Sequence, residues 1–293
     1  MNKKRRILFD IETIRSSNFE DLDESRKKYL LKAKNAEDDY DEFIKMCINL
    51  YPFTAEIACI ALINVDERNA GVYYRTDRNE KWSINTIVND ADDNASNNID
   101  HSANNNIDKN VDDKASNKVE VKGIAEELVD DWLINLCKSG KLNKADFFPC
   151  ETEEEILENF WKVIECYEQF ITFNGRGFDC PFIHHRSAIR HIVPTINLVT
   201  PRFKGPYPHC DLLDELTYSG ATRKFNLDFY CQSLGVESPK SHGVSGYDMN
   251  ELYFDEKRYE DIAKYCLGDV IATSELFLHW DTYLNPIRFK TRK

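Results

Sequence analysis

The chain begins with an apolar run that continues as an alternation of apolar and acidic residues. Residues 7–9 are apolar, and Asp10 and Glu12 follow with Ile11 between them. Such a run predicts a strand, in which successive side chains point to opposite faces. Asp10 and Glu12 therefore share a face with Leu8, whereas Ile7, Phe9 and Ile11 share the other. Two like charges side by side at the end of a buried strand repel each other and lose hydration, a cost that a bound cation relieves. The alternative is a strand that runs out into solvent with two hydrated acids.

Further along the chain, predicted strands give way to an alternation of helices and strands. Residues 52–67 and 71–75 are rich in β-branched and aromatic residues and flank a turn at 68–71, which predicts a meander with the first strand. Residues 170–173 predict a short buried strand. Helical spacing predicts one or two surface helices within 19–50 and further helices over 124–140, 151–167, 180–192, 226–235 and 258–280. This order indicates an α/β fold.

Several helix ends carry their own signals. Thr152 and Glu155 have the spacing of a capping box, and Asn226 precedes a predicted helix that ends before Gly235. These signals fix where the helices begin and end.

A low-complexity segment interrupts this pattern. From 89 to 118 the composition shifts to Asn, Asp, Ser and Ala, and the stretch at 92–100 recurs at 112–120. Such a segment cannot bury a core, so we expect a disordered insertion at about 89–118 that takes no part in catalysis. A helical insertion is expected at about 15–48.

Length and composition suit one domain. The 293 residues are 42% hydrophobic and 30% charged, and no stretch of 18 apolar residues occurs. The basic start is followed by a strand with two acids, which is not typical of a signal peptide, so we expect a cytoplasmic protein. Nine scattered cysteines without a C-x-x-C pair indicate reduced thiols.

The net charge of −13 is unevenly distributed. Residues 90–158 contain 18 acidic and 7 basic residues, a net charge of −11, so the rest of the chain carries only −2. If four acids outside that segment bind divalent cations, the remainder becomes slightly positive. The acidity of the whole chain therefore does not exclude a nucleic-acid partner.

Two further acids occur in settings that suit a functional site. Asp179 follows the predicted strand at 170–173 and a glycine-containing loop, the position where α/β sheets bind ligands. An N-cap role for Asp179 is an equal alternative. Tyr265 and Asp269 are four residues apart on a predicted helix and therefore lie on one face, although a tyrosine at the core edge beside an exposed acid has the same spacing.

Taken together, these three pieces resemble a known superfamily. FDIET at 9–13, NGRGFD at 174–179 and YCLGD at 265–269 resemble, in order, the three exonuclease motifs of the DEDD superfamily, whose RNase H-like fold has a mixed central sheet flanked by helices. The closest resemblance is to the predicted 3′-5′ exonuclease family related to the exonuclease domain of family B DNA polymerases. It covers most of the chain outside 15–48 and 76–120 and implies one exonuclease domain over 1–293. Tyr265 four residues before Asp269 matches the tyrosine branch, DEDDy.

The resemblance implies the chemistry of each residue. Asp10, Glu12, Asp179 and Asp269 would hold two Mg²⁺ or Mn²⁺ ions, and the hydroxyl of Tyr265 would orient the attacking water. The implied reaction is 3′-5′ hydrolysis of single-stranded DNA with release of nucleoside 5′-monophosphates.

The resemblance also implies contacts with the nucleic-acid 3′ end. Asn174 and Phe178 would hold the terminal nucleotides, and the backbone of Thr13 would face the 3′ end. Two basic residues have open alternatives: Arg176 either contacts phosphate or is structural, and Lys240 either touches the substrate backbone or lies in a plain loop.

Other polar residues favour structural roles. A hydrogen-bonded His209 and an N-cap Asp211 explain the PHCDLL stretch at 208–213 better than a metal site. His184, His185 and Arg186 are adjacent on a helix, which suits packing or the rim of a substrate channel.

Two rival functions remain. A 3′-5′ exoribonuclease would use the same motifs, because discrimination lies in contacts to the 2′ position. A non-catalytic nucleic-acid-binding module is the alternative of another class. A replication or repair partner is conceivable from the resemblance, and no membrane association is expected.

Overall fold

The computed structural model describes residues 5–16, 21–31, 48–78, 81–87, 118–123, 129–199, 208–238 and 248–285. Its centre is an eight-stranded mixed sheet in the order β5-β4-β6-β3-β2-β1-β7-β8. The strands are β1 (Arg6–Arg15), β2 (Ala55–Asn64), β3 (Asn69–Arg75), β4 (Trp82–Ile87), β5 (Lys118–Lys122), β6 (Lys144–Cys150), β7 (Gln169–Thr172) and β8 (His209–Asp211).

The helices of the described residues are α1 (Glu24–Leu31), α2 (Asp131–Lys138), α3 (Glu153–Ile164), α4 (Asp179–Ile189), α5 (Leu212–Leu216), α6 (Leu227–Ser233) and α7 (Tyr259–Tyr283). Among them, α7 covers one face of the sheet, and α3 and α4 cover the other. A 3₁₀ turn spans Ile48–Leu50 and a π-helical turn spans Glu251–Asp255. A mixed sheet with helices on both faces is the predicted α/β, RNase H-like arrangement, so the predicted fold class is confirmed.

β1 is buried on both faces, with the predicted division of its side chains. Leu8 and Ile14 belong to the core under α7, whereas Ile7, Phe9 and Ile11 pack into the core formed with α3 and α4. Asp10 and Glu12 interrupt the Leu8 face and are half-buried. The period-two alternation read from the sequence is therefore correct along this strand.

The predicted meander is also confirmed. β1 pairs antiparallel with β2, and β2 pairs antiparallel with β3. On its other side β1 pairs in parallel with β7, but only from Arg6 to Leu8. Beyond Leu8 the two strands separate, and this gap lies at the carboxyl ends of the parallel strands.

Four strands were not anticipated from the sequence, and one of them, β8, pairs in parallel with β7 at the edge of the sheet. β6 adds to the edge of β3 in parallel, and β4 and β5 continue the sheet antiparallel from β6. The rings of Trp82 and Phe147 stack at 3.7 Å where β4 meets β6. Pro149 breaks the strand pattern of β6 in the sequence because it has no backbone N–H to donate. β4 pairs with β6 only as far as Phe147, so no hydrogen bond from Pro149 to β4 is needed.

Helix ends follow their sequence signals with two differences. The side chains of Thr152 and Asn226 cap α3 and α6 by accepting from the N–H groups of Glu155 and Phe229. The carboxylate of Glu155 accepts from the N–H of Glu151, one residue before the cap, so only half of the predicted capping box forms. α2 begins at Asp131, later than the predicted start at 124, because the side chain of Asp130 caps it.

The predicted insertions are only partly described. α1 lies within the expected helical insertion of about 15–48, and β5 begins at Lys118, the last residue of the expected low-complexity insertion. Residues 88–117 lie outside the described residues, so the expectation of disorder there stays a prediction.

Candidate active site

The predicted acidic residues come from three elements that meet at the gap between β1 and β7. Asp10 and Glu12 project from β1, Asp179 is the first residue of α4, and Tyr265 and Asp269 lie on α7. α7 packs across β1 and β2, so its face carrying Tyr265 and Asp269 lies over the acidic face of β1. Residues more than 160 positions apart in the sequence thus occupy one site.

Asp179 occupies the open edge of β1. Its Oδ1 accepts the backbone N–H of Ile11 at 3.3 Å, in place of the β7 carbonyl that is missing beyond Leu8. The N-cap position of α4 belongs to Phe178, which makes no side-chain cap hydrogen bond. Asp179 is only 3% exposed. The N-cap alternative for Asp179 is therefore wrong, since Phe178 holds the cap position and the carboxylate of Asp179 accepts from β1.

Asp10 and Glu12 are close enough to share an ion. One carboxylate oxygen of Asp10, one of Glu12 and the Sγ of Cys266 lie within 4.8 Å of one another. The thiol of Cys266 contacts the backbone carbonyl of Asp10 at 3.5 Å. Oxygen-rich donor sets of this kind suit hard divalent cations.

Burial and neighbouring charges raise the pKa values of Asp10, Glu12 and Asp179. Burial raises the pKa of Asp10 well above the usual carboxyl range, and the charges of Asp179, Asp269 and Glu12 raise it further. Burial likewise raises the pKa of Glu12, with Asp269 and Asp179 adding to the effect. Burial raises the pKa of Asp179 to about 7, although backbone hydrogen bonds act in the opposite direction. Ionising all four groups is therefore costly unless positive charge is supplied.

Tyr265 belongs to the same electrostatic cluster. Burial raises the pKa of its hydroxyl, and the charges of Asp269, Glu12 and Asp10 raise it further. The phenol therefore stays protonated at neutral pH and is available as a hydrogen-bond donor.

The loop between β7 and α4 has a fixed shape. Asn174 adopts a left-handed backbone conformation with φ of 63°. The carboxylate of Asp211 accepts from the N–H groups of Asn174 and Arg176, both at 2.9 Å. A Cβ on Gly175 would lie 2.3 Å from the Oγ1 of Thr172, so only glycine fits at that position. The loop thus presents Asn174 and Phe178 from a rigid backbone.

The other predicted substrate residues differ in accessibility. Phe178 is half-buried, with its ring 5.4 Å from that of Phe182. The side chain of Thr13 is buried and donates to the carbonyl of Asn49 at 2.8 Å. Arg176 donates to the carbonyl of His209 at 3.2 Å and lies 3.4 Å from Asp214, with 14% of its side chain exposed. These contacts favour the structural alternative for Arg176. Lys240 lies outside the described residues.

The histidines have the structural partners expected for them. The Nε2 of His209 and the Oγ1 of Thr172 are 2.8 Å apart, and Asp211 caps α5 by accepting from Leu213. His184 accepts from the N–H of Leu198, and the Nδ1 of His185 lies 2.7 Å from the carbonyl of Pro181. The predicted structural roles of His209 and Asp211 are confirmed.

Two residues near the site were missed from the sequence. Asp211 was recognised as a helix cap, but its second role in holding the loop at 174–176 depends on the pairing of β7 with β8. Cys266 follows Tyr265 directly, and only the helix geometry places its thiol under Asp10. The buried periodicity of α7 was the available signal for Cys266.

The fold and this cluster define an RNase H-like α/β protein with an acidic centre at the split of its sheet. A family model described as "predicted 3′-5′ exonuclease related to the exonuclease domain of PolB" matches residues 135–290, more than half of the chain. The chain therefore belongs to this family. The match includes Asp179, Tyr265 and Asp269 and begins after β1, so the case for Asp10 and Glu12 rests on their position in the structure. No curated protein gives a significant match.

Within the part of the chain that the structure describes, no helix has both the length and the apolar character needed to cross a bilayer.

Proposed function

We propose that this protein is a metal-dependent 3′-5′ exonuclease of the DEDDy type that releases nucleoside 5′-monophosphates from single-stranded DNA. One observation carries this proposal, the convergence of four carboxylates and a tyrosine on one site: Asp10, Glu12, Asp179, Tyr265 and Asp269. The charge of Asp269 raises the pKa of Asp10, of Glu12 and of Tyr265. Membership of the exonuclease family supports the same conclusion. We further propose that residues 1–293 form one catalytic domain with the two insertions described above.

The four carboxylates are the proposed ligands of two divalent cations, Mg²⁺ or Mn²⁺. The raised pKa values of Asp10, Glu12 and Asp179 mark a site where negative charge lacks compensation, and the oxygen donors of all four residues fit these ions. When bound, the ions would supply Lewis acidity toward the attacking water and the leaving 3′ oxygen. Cys266 offers a neutral thiol beside this set, because burial raises its pKa well above the usual range.

The remaining residues position the water and the substrate. The protonated Tyr265 donates its hydroxyl hydrogen bond to the attacking water and holds it for in-line attack. Asn174 and Phe178, on the loop anchored by Asp211, hold the terminal nucleotides, and the backbone of Thr13 faces the 3′ end. Lys240 is a proposed phosphate contact of secondary importance, whereas the contacts of Arg176 favour its structural alternative.

Product analysis tests this proposal. Single-stranded DNA and RNA of matched sequence are incubated with Mg²⁺, Mn²⁺ or EDTA, and the products are separated by chromatography. We expect nucleoside 5′-monophosphates in the presence of metal, formed faster from DNA, and none from an Asp269→Ala variant.

Each other outcome changes the conclusion in a defined way. Faster hydrolysis of RNA would make the protein an exoribonuclease. Oligonucleotides or 3′-monophosphates as first products would overturn the proposed chemistry. Binding without hydrolysis under every metal condition would favour the non-catalytic nucleic-acid-binding module.

A further inference from the structure

A surface beside the candidate active site combines exposed basic and aromatic side chains. It lies at the start of α6 and consists of Arg223, Lys224, Phe225 and Phe229, which we call the aromatic-basic surface. Arg223 and Lys224 are exposed, and Phe229 is 48% exposed. None of these residues belongs to the proposed catalytic machinery.

The two phenylalanines form a stack with a cation at one end. The rings of Phe225 and Phe229 are 4.1 Å apart with an interplanar angle of 13°. The guanidinium carbon of Arg223 lies 5.2 Å from the centroid of Phe225. Phe229 is covered by Phe225, yet about half of it remains accessible, so this stack offers an aromatic surface to a further planar group.

The core does not require Phe229 at this position. Asn226 caps α6 and thereby sets its orientation, and Cys231 is the residue of α6 that is fully buried. The helix also carries one acid, Asp228, whose Oδ1 accepts from the side chain of Gln232 at 2.9 Å and from that of Ser238. That carboxylate is thus held by neighbouring donors, and the two exposed cations dominate the charge of the surface.

A chain of aromatic contacts joins this surface to the active-site loop. The ring of Tyr230 lies 5.8 Å from that of Phe225 and 6.1 Å from that of Phe173. Phe173 directly precedes Asn174, the loop residue proposed to hold the terminal nucleotides. Burial raises the pKa of Cys231 on α6, and the charges of Asp228 and Asp269 raise it further. α6 is therefore within electrostatic reach of the catalytic carboxylates.

We propose that the aromatic-basic surface binds the single strand that leads into the active site, through an unpaired base on Phe229 and phosphates on Arg223 and Lys224. The positive charge complements a phosphate backbone, and aromatic stacking selects bases that are not paired. Ring contacts through Tyr230 also connect the surface to Phe173, the residue before the active-site loop of the proposed nuclease. This inference rests on the proposed function for the direction of the strand, but it makes a separate claim about binding.

Fluorescence anisotropy in EDTA tests binding without hydrolysis. The probe is a labelled oligothymidylate of about 12 nucleotides, a length within reach of single-strand sites. Phe229→Ala should raise its Kd about tenfold, the effect expected for the loss of one base–aromatic stack. Arg223→Glu, a surface change that leaves both rings in place, should also raise the Kd and weaken its salt dependence.

Two controls make the result specific. Tyr283→Ala removes another exposed aromatic side chain, 64% exposed, at the far end of α7, about 21 Å along the helix from Asp269, and should leave the Kd unchanged. A blunt duplex should bind more weakly than the single strand and should not respond to Phe229→Ala. Oligouridylate compared with oligodeoxyuridylate, which differs from it only in the 2′-hydroxyl, tests whether the surface discriminates the sugar.

A short substrate separates this inference from the proposed function. With the p-nitrophenyl ester of thymidine 5′-monophosphate, which has no preceding nucleotides to bind the aromatic-basic surface, the Phe229→Ala variant should retain wild-type turnover, while KM for oligothymidylate rises. If wild type hydrolyses oligothymidylate but Phe229→Ala and Arg223→Glu bind it as wild type does, the inference is overturned and the proposed function stands. If oligothymidylate binds in a Phe229-dependent manner without any hydrolysis, the inference stands and the proposed function fails. Absence of binding by wild type overturns the inference.

Discussion

At the residue scale, Asp179 shows how the fold buries a carboxylate that is costly to ionise. Its carboxylate fills the place of a missing strand partner on β1, where it is removed from water and lies near Asp10. The backbone N–H of Ile11 favours the ionised form, but burial outweighs it and raises the pKa to about 7. The position therefore suits a group that is meant to be ionised only when a cation is present.

The stability of the metal-free protein should reflect this raised pKa. Between the unfolded value of 3.8 and about 7, the folded state holds a proton on Asp179 that the unfolded state has lost. The stabilisation is thus complete below the unfolded pKa and is lost as the pH rises through about 7. Urea unfolding in EDTA from pH 5 to 8 should show this fall as the difference between wild type and Asp179→Asn, because buried His209, whose pKa is lowered to about 3, has the opposite pH dependence in both proteins. A difference between the two proteins that does not change with pH would contradict the account.

Tyr265 allows the catalytic hydroxyl to be removed without a change in packing. Tyr265→Phe keeps the ring that packs against the core beside α7 and deletes only the donor. We expect kcat to fall by about 10²-fold, as for the loss of one positioned proton donor, while Mn²⁺ affinity measured by calorimetry stays within about twofold. Loss of Mn²⁺ binding in this variant would mean that Tyr265 supports the ligands rather than the water.

At the element scale, a buried ion-pair network holds α4 in place. Glu153, at the start of α3 and only 1% exposed, accepts from the guanidinium groups of Arg186 and Arg190 and from the N–H of Ile57 on β2. Both arginines lie at the end of α4, whose first residue is Asp179. The network thereby joins β2, α3 and α4 and fixes the helix that carries an active-site acid.

Breaking this network should destabilise the fold strongly. Glu153→Ala leaves Arg186 buried without its main partner, which typically costs about 3–5 kcal/mol. The hydrogen bonds of Arg186 help to lower the pKa of Glu153 despite its burial, so its stabilisation is present above the unfolded value of 4.5 and is lost on acidification. Urea unfolding at pH 7 measures the loss. Glu158→Gln on the same helix, whose pair with Lys162 is exposed, is the control and should change stability by less than about 0.5 kcal/mol.

The elements that were predictable from the sequence are those whose signals are local. The alternation in β1 and the caps at Thr152 and Asn226 depend on neighbouring residues, and they appear where expected. The turn between β2 and β3 also forms, but at 65–68 instead of the predicted 68–71, because β3 begins at Asn69. The short strands β4 and β6 form because each finds a partner far away in the chain, so neither has a distinctive pattern of its own. Local signals are also limited for the active site. The spacing of Tyr265 and Asp269 predicts that they share a helix face. The inward orientation of Arg176 and the contact of Asp211 with the loop depend on tertiary structure.

At the scale of the whole molecule, the sheet is extended on the side away from the active site. β6, β4 and β5 are added beyond β3, whereas the acids lie between β1 and β7. Ile87 and Lys118, the ends of β4 and β5, are paired opposite each other. The residues between them can therefore be replaced without separating the two strands.

Replacing residues 88–117 by a two-residue Asn-Gly turn tests whether the fold and the active site are independent of this segment. The turn closes an antiparallel pair at the register that Ile87 and Lys118 already have. We expect a folded protein whose turnover of oligothymidylate is within about twofold of wild type. The chain also loses part of its acidic segment, so its affinity for nucleic acid should not fall. An insoluble or inactive protein would show that the segment contributes to the fold.

The claim that most depends on the structure is that Asp10, outside the matched family segment, completes the active site. The most direct test follows a 5′-labelled single strand on a gel with wild type in Mn²⁺, wild type in EDTA and Asp10→Asn in Mn²⁺. The account predicts a ladder that shortens from the 3′ end with wild type and Mn²⁺ only, and a reduction of at least about 10³-fold in the variant, because the proposed metal site loses a ligand. Shortening that persists in Asp10→Asn or in EDTA would contradict the proposed acidic metal centre.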